Sequence, residues 1–386
     1  MALNAAGIIF YIFIAVVTSA TAFFVKREKS SIYTDRPLLA MLVLELFLPA
    51  ALRINTGNDY QTYIDHFHDA NVGNYVVTEW GFNALSKAVY GFLAGEWFPV
   101  LFAIFAFFTV LFFVKALYMS EAPFFQSFVL FMLFGLYFRS MNTMRYYMAL
   151  AFCVTALMYG MKKCYIRALV LILIAALFHK TALLVLVMYP VCMIRWNKFF
   201  YIALGALGIS GLIFRAQYMD LFIKLYPSYV NEPELVAEGG GISLVNIARI
   251  VLTLGLAAAA LLRKRENNKK SGAKDDVKKG FMLHDEVSVY LQMNIAALVL
   301  CTCFSFIPFS SRISYYLITT QVMLIPMLLK EKSINIKAVK TAVYAAAMLY
   351  FAVFLYRAFG DTTKLLPYHT LLSCDLSEFI KYTNLL

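Results

Sequence analysis

The stretch LLAMLVLELFLPAALRINTGNDYQTY (38–63) combines the two features that decide the fold of this chain. It starts as an almost continuous apolar run and turns polar at Arg53, with Gly57 and Asp59 following closely. A helix that spans a lipid bilayer needs about 20 mainly apolar residues. The stretch therefore predicts a membrane-spanning helix that delivers an arginine, a glycine and an aspartate to one membrane surface.

The composition of the whole chain agrees with this prediction. Of its 386 residues, 62% are hydrophobic and only 15% are charged, whereas a soluble domain carries roughly 45–50% apolar and about 25% charged residues. Soluble folds are therefore excluded, and we predict a single all-α polytopic membrane domain (1–386) with about 12 transmembrane helices. The apolar runs that predict these helices are 4–25, 37–52, 97–118, 123–139, 143–161, 165–178, 180–194, 198–215, 244–262, 287–305, 314–329 and 339–357.

The basic residues give the orientation of the predicted helices. Most of the 34 lysines and arginines fall in one set of connections, such as 26–36 and 330–340, which the positive-inside rule assigns to the cytoplasm. The polar segment 263–286 belongs to this set and is predicted to be a flexible basic cytoplasmic loop. The segments 53–96 and 216–243 become outer loops. Because positive-inside bias accounts for the net charge of +12, we expect no nucleic-acid partner.

The six cysteines favour neither a metal site nor a disulfide framework. Cys301 and Cys303 are the closest pair, and they have no His or Cys partners at the spacing of a zinc site. The sequence also contains no P-loop and no H-E-x-x-H motif, so an ATP-driven pump is not expected. We therefore predict free thiols, no metal and no cofactor.

The first outer loop contains two stretches with the periodicity of amphipathic helices. GNDYQTYIDHF (57–67) and TEWGFNALSKAVYGF (78–92) each bring their large apolar residues to one helical face. Helices of this kind lie in the plane of the membrane surface, with the apolar face turned inward. We therefore predict two interfacial helices on the outer side of the membrane.

The sequence allows two interpretations of Asp59, which lies at the start of the first interfacial helix. With Thr56 three positions before it, the T-x-x-D pattern resembles a capping box in which Asp59 is a first-turn acid. In the other reading, Asp59 is a carboxylate above a cavity, where it orients or deprotonates a sugar hydroxyl. The sequence leaves both readings open.

Cations on the outer side run against the positive-inside trend. Such a cation is costly against lipid but is tolerated where it lines a watery cavity or meets an anion. Arginine is the cation best suited to bidentate contact with phosphate. For Arg53, Arg145 and Arg312 we therefore predict a cavity, open to the outer leaflet, that holds a phosphate-bearing lipid. The alternative is that these side chains snorkel at the interface.

Three further groups of polar residues complete the candidate site. The motif FHKTAL puts His179 and Lys180 at an outer helix end, where His179 is either a polar cap or a ligand contact. Arg312 and Tyr316 are four residues apart and share a helical face. Glu45, inside the second span, is expected to pair with an arginine or a polar group of the bundle.

Taken in order, these motifs resemble the EpsG family of bacterial Wzy-type polysaccharide polymerases. The motifs are RINTGNDYQTY (53–63), EWGF (79–82), MRYYMALAF (144–152), FHKTAL (178–183) and RISYYL (312–317). The resemblance implies a multi-pass enzyme of the bacterial inner membrane, GT-C-like and metal-independent, with its active face periplasmic. It implies the joining of oligosaccharide repeat units carried on undecaprenyl diphosphate, with the lipid diphosphate as leaving group. Membrane lipid and a chain-length regulator protein are the implied partners.

The resemblance also suggests roles for individual residues of this chain. Asp59 is the candidate general base, with His179 in reserve. The predicted diphosphate contacts are Arg53, Arg145, Lys180 and Arg312. The predicted sugar contacts are Tyr60, Tyr63, Glu79 and Tyr316. Gly57 and Gly81 also match the family pattern, whereas Trp80 stands where proline or another residue is expected.

Two classes of alternative function stay open. A flippase or transporter for the lipid-linked oligosaccharide would need charged residues along a full transmembrane path. The ionisable residues of this chain concentrate at the outer face, with Glu45 as the main exception, which favours an enzyme. The other class is a different transferase, either an O-antigen-ligase-like enzyme or a membrane acyltransferase that uses His179.

Overall fold

The computed structural model describes residues 5–27, 32–225, 241–270, 285–308, 310–330, 337–360 and 363–372. Within these residues the chain is helical apart from two short strands and the connecting segments. It forms two compact units. The first unit consists of residues 1–183 and 341–386, and the second consists of residues 184–340.

The first unit contains the helices from the start of the chain and one helix from near its end. In chain order these elements are α1 (Ala5–Phe23), α2 (Ile32–Ala51), β1 (Arg53–Ile54), α3 (Tyr60–Val72), α4 (Trp80–Leu93), α5 (Phe98–Met119), α6 (Phe124–Leu133), α7 (Leu136–Ser140), α8 (Met144–Met161), α9 (Tyr165–Phe178), most of a 3-10 helix (Lys180–Leu184), most of α17 (Lys337–Arg357) and β2 (His369–Thr370). The strands β1 and β2 pair in an antiparallel manner, with Arg53 opposite Thr370.

Helix α8 is the centre of the first unit. Fifteen of its 18 residues are buried, and it packs against α5 on one side and α9 on another. Small residues such as Ala149, Ala151 and Gly160 lie on α8, and small side chains let neighbouring membrane helices approach closely. Elsewhere in this unit, the Oγ1 of Thr21 donates to the Oε1 of Glu45 at 2.8 Å, which confirms the predicted pairing of Glu45 with a polar group.

The second unit is built around two buried helices. Its elements are α10 (Val185–Met193), α11 (Lys198–Ile213), α12 (Arg215–Leu225), α13 (Leu244–Lys270), α14 (Asp285–Cys303), α15 (Ser310–Ile318) and α16 (Gln321–Lys330). Helix α14 packs against α10, α11, α13, α15 and α16. Nine of the ten residues of α16 are buried, from Gln321 to Leu329.

The described part of every predicted apolar run is mostly helical, in agreement with an all-α membrane protein. Six helices of the described residues are long and apolar enough to cross a membrane, or seven if the bent pair Lys198–Ile213 and Arg215–Lys224 is one span. Several runs are broken: Gly135 has a φ of 69° between α6 and α7, a left-handed conformation that suits glycine. The count of about 12 spans and the GT-C-like arrangement stay predictions.

Helices occupy parts of the segments that the sequence predicted to be loops. Helices α3 and α4 occupy the two stretches predicted to be interfacial. In the segment 216–243, α12 covers the first part, and residues 226–240 lie outside the described residues. In the segment 263–286, α13 continues to Lys270, and residues 271–284 lie outside the described residues. Five cysteines are free, as predicted, and Cys374 lies outside the described residues.

Candidate functional site

The centre of the candidate site is an ion pair between Arg145 and Glu79 in the first unit. Arg145 lies in the first turn of α8, and Glu79 is the residue before α4. The Nη1 of Arg145 is 2.5 Å from the Oε2 of Glu79, and the two side chains are 18% and 15% exposed. Because both side chains keep this small exposure, a charged ligand that reaches the guanidinium can compete with the carboxylate.

Aromatic rings hold the Arg145 guanidinium in position. Its Cζ lies 5.5 Å from the ring centre of Tyr63 and 5.4 Å from that of Phe82. An arginine within about 6 Å of a ring face is attracted by the ring quadrupole. The Nε of Arg145 is buried and has no hydrogen-bond partner among the described residues. Three sides of the guanidinium are therefore set by Tyr63, Phe82 and Glu79.

Glu79 also binds the turn that follows α9. Its Oε1 accepts a hydrogen bond from the backbone N–H of Lys180 at 3.2 Å, while its Oε2 holds Arg145. Glu79 is the N-cap residue of α4 but makes no side-chain capping bond to that helix, because its carboxylate faces these other partners. One carboxylate thus joins the starts of α4 and α8 to the end of α9.

The turn after α9 contains the FHKTAL motif. Helix α9 ends at Phe178, and His179 takes an extended conformation before the 3-10 helix begins at Lys180. The buried His179 ring has its Nδ1 2.6 Å from the Oγ1 of Thr181, and its centre is 5.1 Å from the ring of Tyr146. The Lys180 residue is exposed. The motif therefore presents Lys180 at the surface and holds His179 in the protein.

Gly81 allows this arrangement because it brings α4 against the end of α9. A Cβ atom at Gly81 would lie 2.6 Å from the carbonyl oxygen of Leu177, closer than real Cβ contacts permit. Any side chain at this position would push the start of α4 away from α9. The glycine of EWGF therefore keeps Glu79 within reach of Lys180.

The loop from Arg53 to Asp59 packs against the turn before α8. Gly57 has a φ of 102°, and a Cβ there would lie 2.9 Å from the Cα of Asn142 and from the carbonyl oxygen of Met141. Two residues later, the backbone N–H of Asp59 donates to the Oδ1 of Asn142 at 3.0 Å. The loop that carries Asp59 is therefore fixed to the turn that leads into Arg145.

The capping-box reading of Asp59 is wrong. The Oγ1 of Thr56 donates to the carbonyl of Ile54 at 2.9 Å, and Thr56 is not the cap of α3. Asp59 is itself the N-cap residue, just before the first turn, and its side chain makes no capping bond to the helix. The physical reason is that Gly57 turns the chain toward Asn142, so the helix starts at Tyr60 and Thr56 stays in the loop.

Arg53 is buried more deeply than the sequence suggests. It is only 3% exposed, and its guanidinium donates to the carbonyl of Ala50 at the end of α2. Its Nη2 is 3.8 Å from the Sδ of Met144, and its Cζ is 5.1 Å from the ring centre of Phe102. Tyr60, 2% exposed, packs on the same Phe102 ring at 5.0 Å.

The first unit thus brings together four of the predicted site residues in direct contact: Tyr63, Glu79, Arg145 and Lys180. Arg312 and Tyr316 belong to α15 of the second unit, where Arg312 is exposed and Tyr316 is fully buried. The carbonyl of Tyr316 accepts a hydrogen bond from the hydroxyl of Tyr189 at 3.1 Å. These two residues therefore do not form one exposed face.

The structure adds two residues that the sequence reasoning did not single out. Asn142 joins the Asp59 loop to α8, and its position just before the MRYYMALAF motif was the available signal. His66, half-buried on α3, lies close enough to Arg145 for their charges to interact. Burial lowers the pKa of His66, and the charge of Arg145 lowers this pKa further, so the neutral imidazole is favoured.

Within the described residues, no group of three or more His, Cys, Asp and Glu side chains is arranged to hold a metal ion. The fold and this charged centre define an all-α, multi-pass membrane protein with an arginine–carboxylate site at its helix ends. The chain belongs to the EpsG family, whose model matches residues 37–370. No curated protein and no solved structure matches it. Membership of the family indicates a Wzy-like polysaccharide polymerase, which is a glycosyltransferase-type enzyme.

Proposed function

We propose that this protein joins oligosaccharide repeat units carried on undecaprenyl diphosphate, at the outer face of the bacterial inner membrane. The proposal rests on the ion pair of Arg145 and Glu79, whose side chains both keep some solvent exposure, in a chain of the EpsG family. An arginine that is already oriented, and paired with a single carboxylate, can exchange that carboxylate for a phosphate oxygen. Its substrate is the lipid-linked oligosaccharide, drawn from the membrane.

The chemistry is a glycosyl transfer that needs charge stabilisation above all. The hydroxyl of the acceptor sugar attacks the anomeric carbon of the growing chain, and the bond from that carbon to the diphosphate oxygen breaks. The undecaprenyl diphosphate leaves with the electron pair of that bond. Negative charge therefore develops on the leaving oxygen, where the Arg145 guanidinium can stabilise it. We propose that Lys180, an exposed residue whose backbone N–H binds Glu79, contributes a second positive charge.

The acceptor hydroxyl must lose its proton during the attack. We assign this proton to Asp59, which Asn142 fixes at the start of α3. His179 is the reserve candidate, although its Nδ1 contacts Thr181 and its ring is buried. Tyr63 and Glu79 would then contact the sugars beside Arg145.

For the other predicted site residues, the support for a role comes from the sequence alone. Arg312 and Tyr316 stay proposed contacts of the diphosphate and of the sugars, and Tyr60 stays a proposed sugar contact. The periplasmic orientation follows from the distribution of lysine and arginine. A GT-C-like arrangement, a metal-independent mechanism and a chain-length regulator as partner belong to the same proposal.

The decisive experiment is a deletion strain analysed for the length of its surface glycan. We expect glycans of one repeat unit to accumulate, and a plasmid copy of the native gene to restore long chains. A copy with Asp59→Asn should express normally and leave single units, because the proton acceptor is lost. Long chains from a normally expressed Asp59→Asn protein would remove Asp59 from the mechanism.

A second candidate function, a flippase for the same lipid-linked unit, is favoured by a polar network in the second unit. The Nη2 of Arg249 donates to the Oε1 of Gln321 at 3.0 Å, and the Nε2 of Gln321 donates to the Oδ1 of Asn294 at 2.8 Å. Buried polar side chains inside spans often mark a transport path. In the deletion strain, a flippase would leave no repeat unit at the outer leaflet, whereas a polymerase would leave single units there.

A further inference from the structure

The segment from Thr363 to Leu371, here called the C-terminal strap, covers the Arg53–Asp59 loop along its length. The backbone N–H groups of Gly57 and Asn58 donate to the carbonyls of Lys364 and Thr363 at 2.8 and 3.0 Å. At the other end of the strap, β2 pairs with β1, and the N–H of Leu371 donates to the carbonyl of Leu52 at 2.8 Å. The loop and the strap therefore form one hydrogen-bonded unit.

Side chains anchor the strap to the helices beneath it. Leu365 and Leu366 are 0% and 3% exposed, so the middle of the strap is inserted into the first unit. The hydroxyl of Tyr11 on α1 donates to the carbonyl of Leu365 at 2.6 Å, and that of Tyr368 donates to the carbonyl of Pro49 at 2.9 Å. Opening the strap would expose two leucines and break several buried hydrogen bonds at once.

Arg53 pairs with Thr370 of the strap, and its side chain makes contacts that stabilise the helices below the loop. Its guanidinium binds the carbonyl of Ala50, one of the carbonyls that the end of α2 leaves without a helical partner. It also contacts Met144, the first residue of α8, and stacks on Phe102 of α5. These contacts join three helices below the loop, and they leave Arg53 only 3% exposed.

The loop is therefore held from two sides. The turn at Met141 and Asn142 supports it from the side of α8, and the strap supports it from the other side. The match to the family extends over the same elements, since it ends at Thr370, the last residue of β2. These hydrogen bonds connect the strap directly to the loop that contains Asp59.

We propose that the C-terminal strap stays closed during the reaction and positions the Arg53–Asp59 loop, with Arg53 as a positioning residue below it. In this proposal Arg53 acts through the loop and does not touch the lipid diphosphate, in contrast to the role that the sequence suggested. The proposal rests on the proposed polymerase function only for its activity measurements. Its structural content can be tested independently of that function.

The first test locks the strap with a disulfide. Asn58→Cys with Thr363→Cys joins two neighbours whose backbones share a hydrogen bond, and each single variant is a control. The full-length protein in membrane vesicles is oxidised, the bond is verified by mass spectrometry, and polymer is measured from lipid-linked repeat units. We expect the locked protein to keep its activity within about twofold of the reduced protein. Activity lost on oxidation and regained on reduction would overturn the proposal, because the strap would then have to open.

The second test does not depend on activity. Thr56 belongs to the loop and is fully buried, and its Oγ1 is 3.5 Å from the backbone nitrogen of His369 in the strap. Thr56→Cys in the full chain should resist a membrane-impermeant maleimide. It should react when the full chain also carries Leu365→Asp and Leu366→Asp, which remove the buried anchors of the strap, relative to the same chains with Thr56. Equal protection in that folded variant would show that the strap does not hold the loop.

The third test separates positioning from substrate contact at Arg53. For Arg53→Gln and Arg53→Lys, kcat and KM for the lipid-linked repeat unit are measured on folded protein. A positioning residue predicts that kcat falls about tenfold with KM within about twofold. A diphosphate contact predicts a raised KM with a smaller change in kcat, which would overturn the assignment. If the native protein does not polymerise at all, the function is wrong, and the labelling of position 56 still decides the strap.

Discussion

Each unit of this protein contains an arginine with low solvent exposure, and the two arginines have different hydrogen-bond partners. In the first unit, Arg145 meets the carboxylate of Glu79 at the start of a helix, and both side chains keep some exposure. In the second unit, Arg249 is 8% exposed within α13 and donates to the neutral amide of Gln321. Arg145 therefore has a charged partner and stays partly exposed to solvent, whereas Arg249 has a neutral partner and is buried.

Of the two arginines, Arg145 has the surroundings that suit a charged ligand. Arginine forms charge-assisted hydrogen bonds with both carboxylate and phosphate oxygens, so our proposal is that an anionic ligand replaces Glu79 at the Arg145 guanidinium. The network of the second unit continues from Gln321 to Asn294, which is fully buried and donates to the carbonyl of Tyr290. Such a network contributes to the packing of one structure, since each lost member leaves a buried partner unsatisfied.

The largest effect is expected from Arg145→Ala. In the proposed mechanism the Arg145 guanidinium stabilises the leaving diphosphate, and losses of about 10²–10³-fold are typical when such a group is removed. Polymer formed per folded molecule is the measurement. Arg139→Ala is the matched control, because Arg139 contacts Tyr350 and stacks on Phe354 in the same unit. Equal losses per folded molecule in both variants would mean that the effect is not specific to Arg145, and would contradict its proposed role.

A smaller loss is expected from Gly81→Ala, which tests the approach of α4 to α9. The new Cβ would meet the carbonyl of Leu177, so Glu79 should move away from Lys180 and Arg145. Overpacking of this kind costs about 1–3 kcal/mol of stability. Gly91→Ala in the same helix is the control, since nothing lies within 4 Å of its Cβ. Thermal unfolding and polymer length should change in the first variant and stay near native in the second.

In the second unit, Gln321→Leu should lower stability without lowering the activity of each folded molecule. The substitution removes the amide that bridges Arg249 and Asn294, and a buried group left unsatisfied costs about 1–3 kcal/mol. A double-mutant cycle with Asn294→Leu should show coupling between the two residues. Activity lost at native stability would instead make the enclosed network part of the functional path and favour the flippase.

The smallest effect is expected from the pH dependence of His66. Its folded pKa is lowered by burial and by Arg145, with Asp69 and Asp65 opposing, so the unfolded chain binds the proton more tightly. The stabilising contribution is therefore complete above about pH 6.5 and is lost as the pH falls through the lowered pKa. Because His66 is partly exposed, the loss stays below about 1 kcal/mol. Thermal unfolding at pH 7.5 and 5.5 should show a larger acid loss for native protein than for His66→Gln.

The sequence predicted the helices of this protein well and its site only in part. Long apolar runs form helices in lipid because no other structure satisfies their backbone groups, so the runs alone predicted the positions of the helices. The sequence, through its predicted outer side and its family motifs, suggested that Arg145, Lys180 and Glu79 belong to one site. It could not show that Glu79 joins the other two, because that contact needs α4, α8 and α9 to meet.

The amino-acid pattern was enough to predict an all-α membrane protein of the EpsG family, with free thiols and charged helix ends. The folded chain was needed to find that Thr56 is not a cap, that Arg53 is buried, and that the strap from Thr363 to Leu371 pairs with the loop. The physical reason is distance along the chain. Hydropathy and helix periodicity act over a few turns, whereas β1 meets β2 across more than 300 residues and Glu79 meets Arg145 across 66.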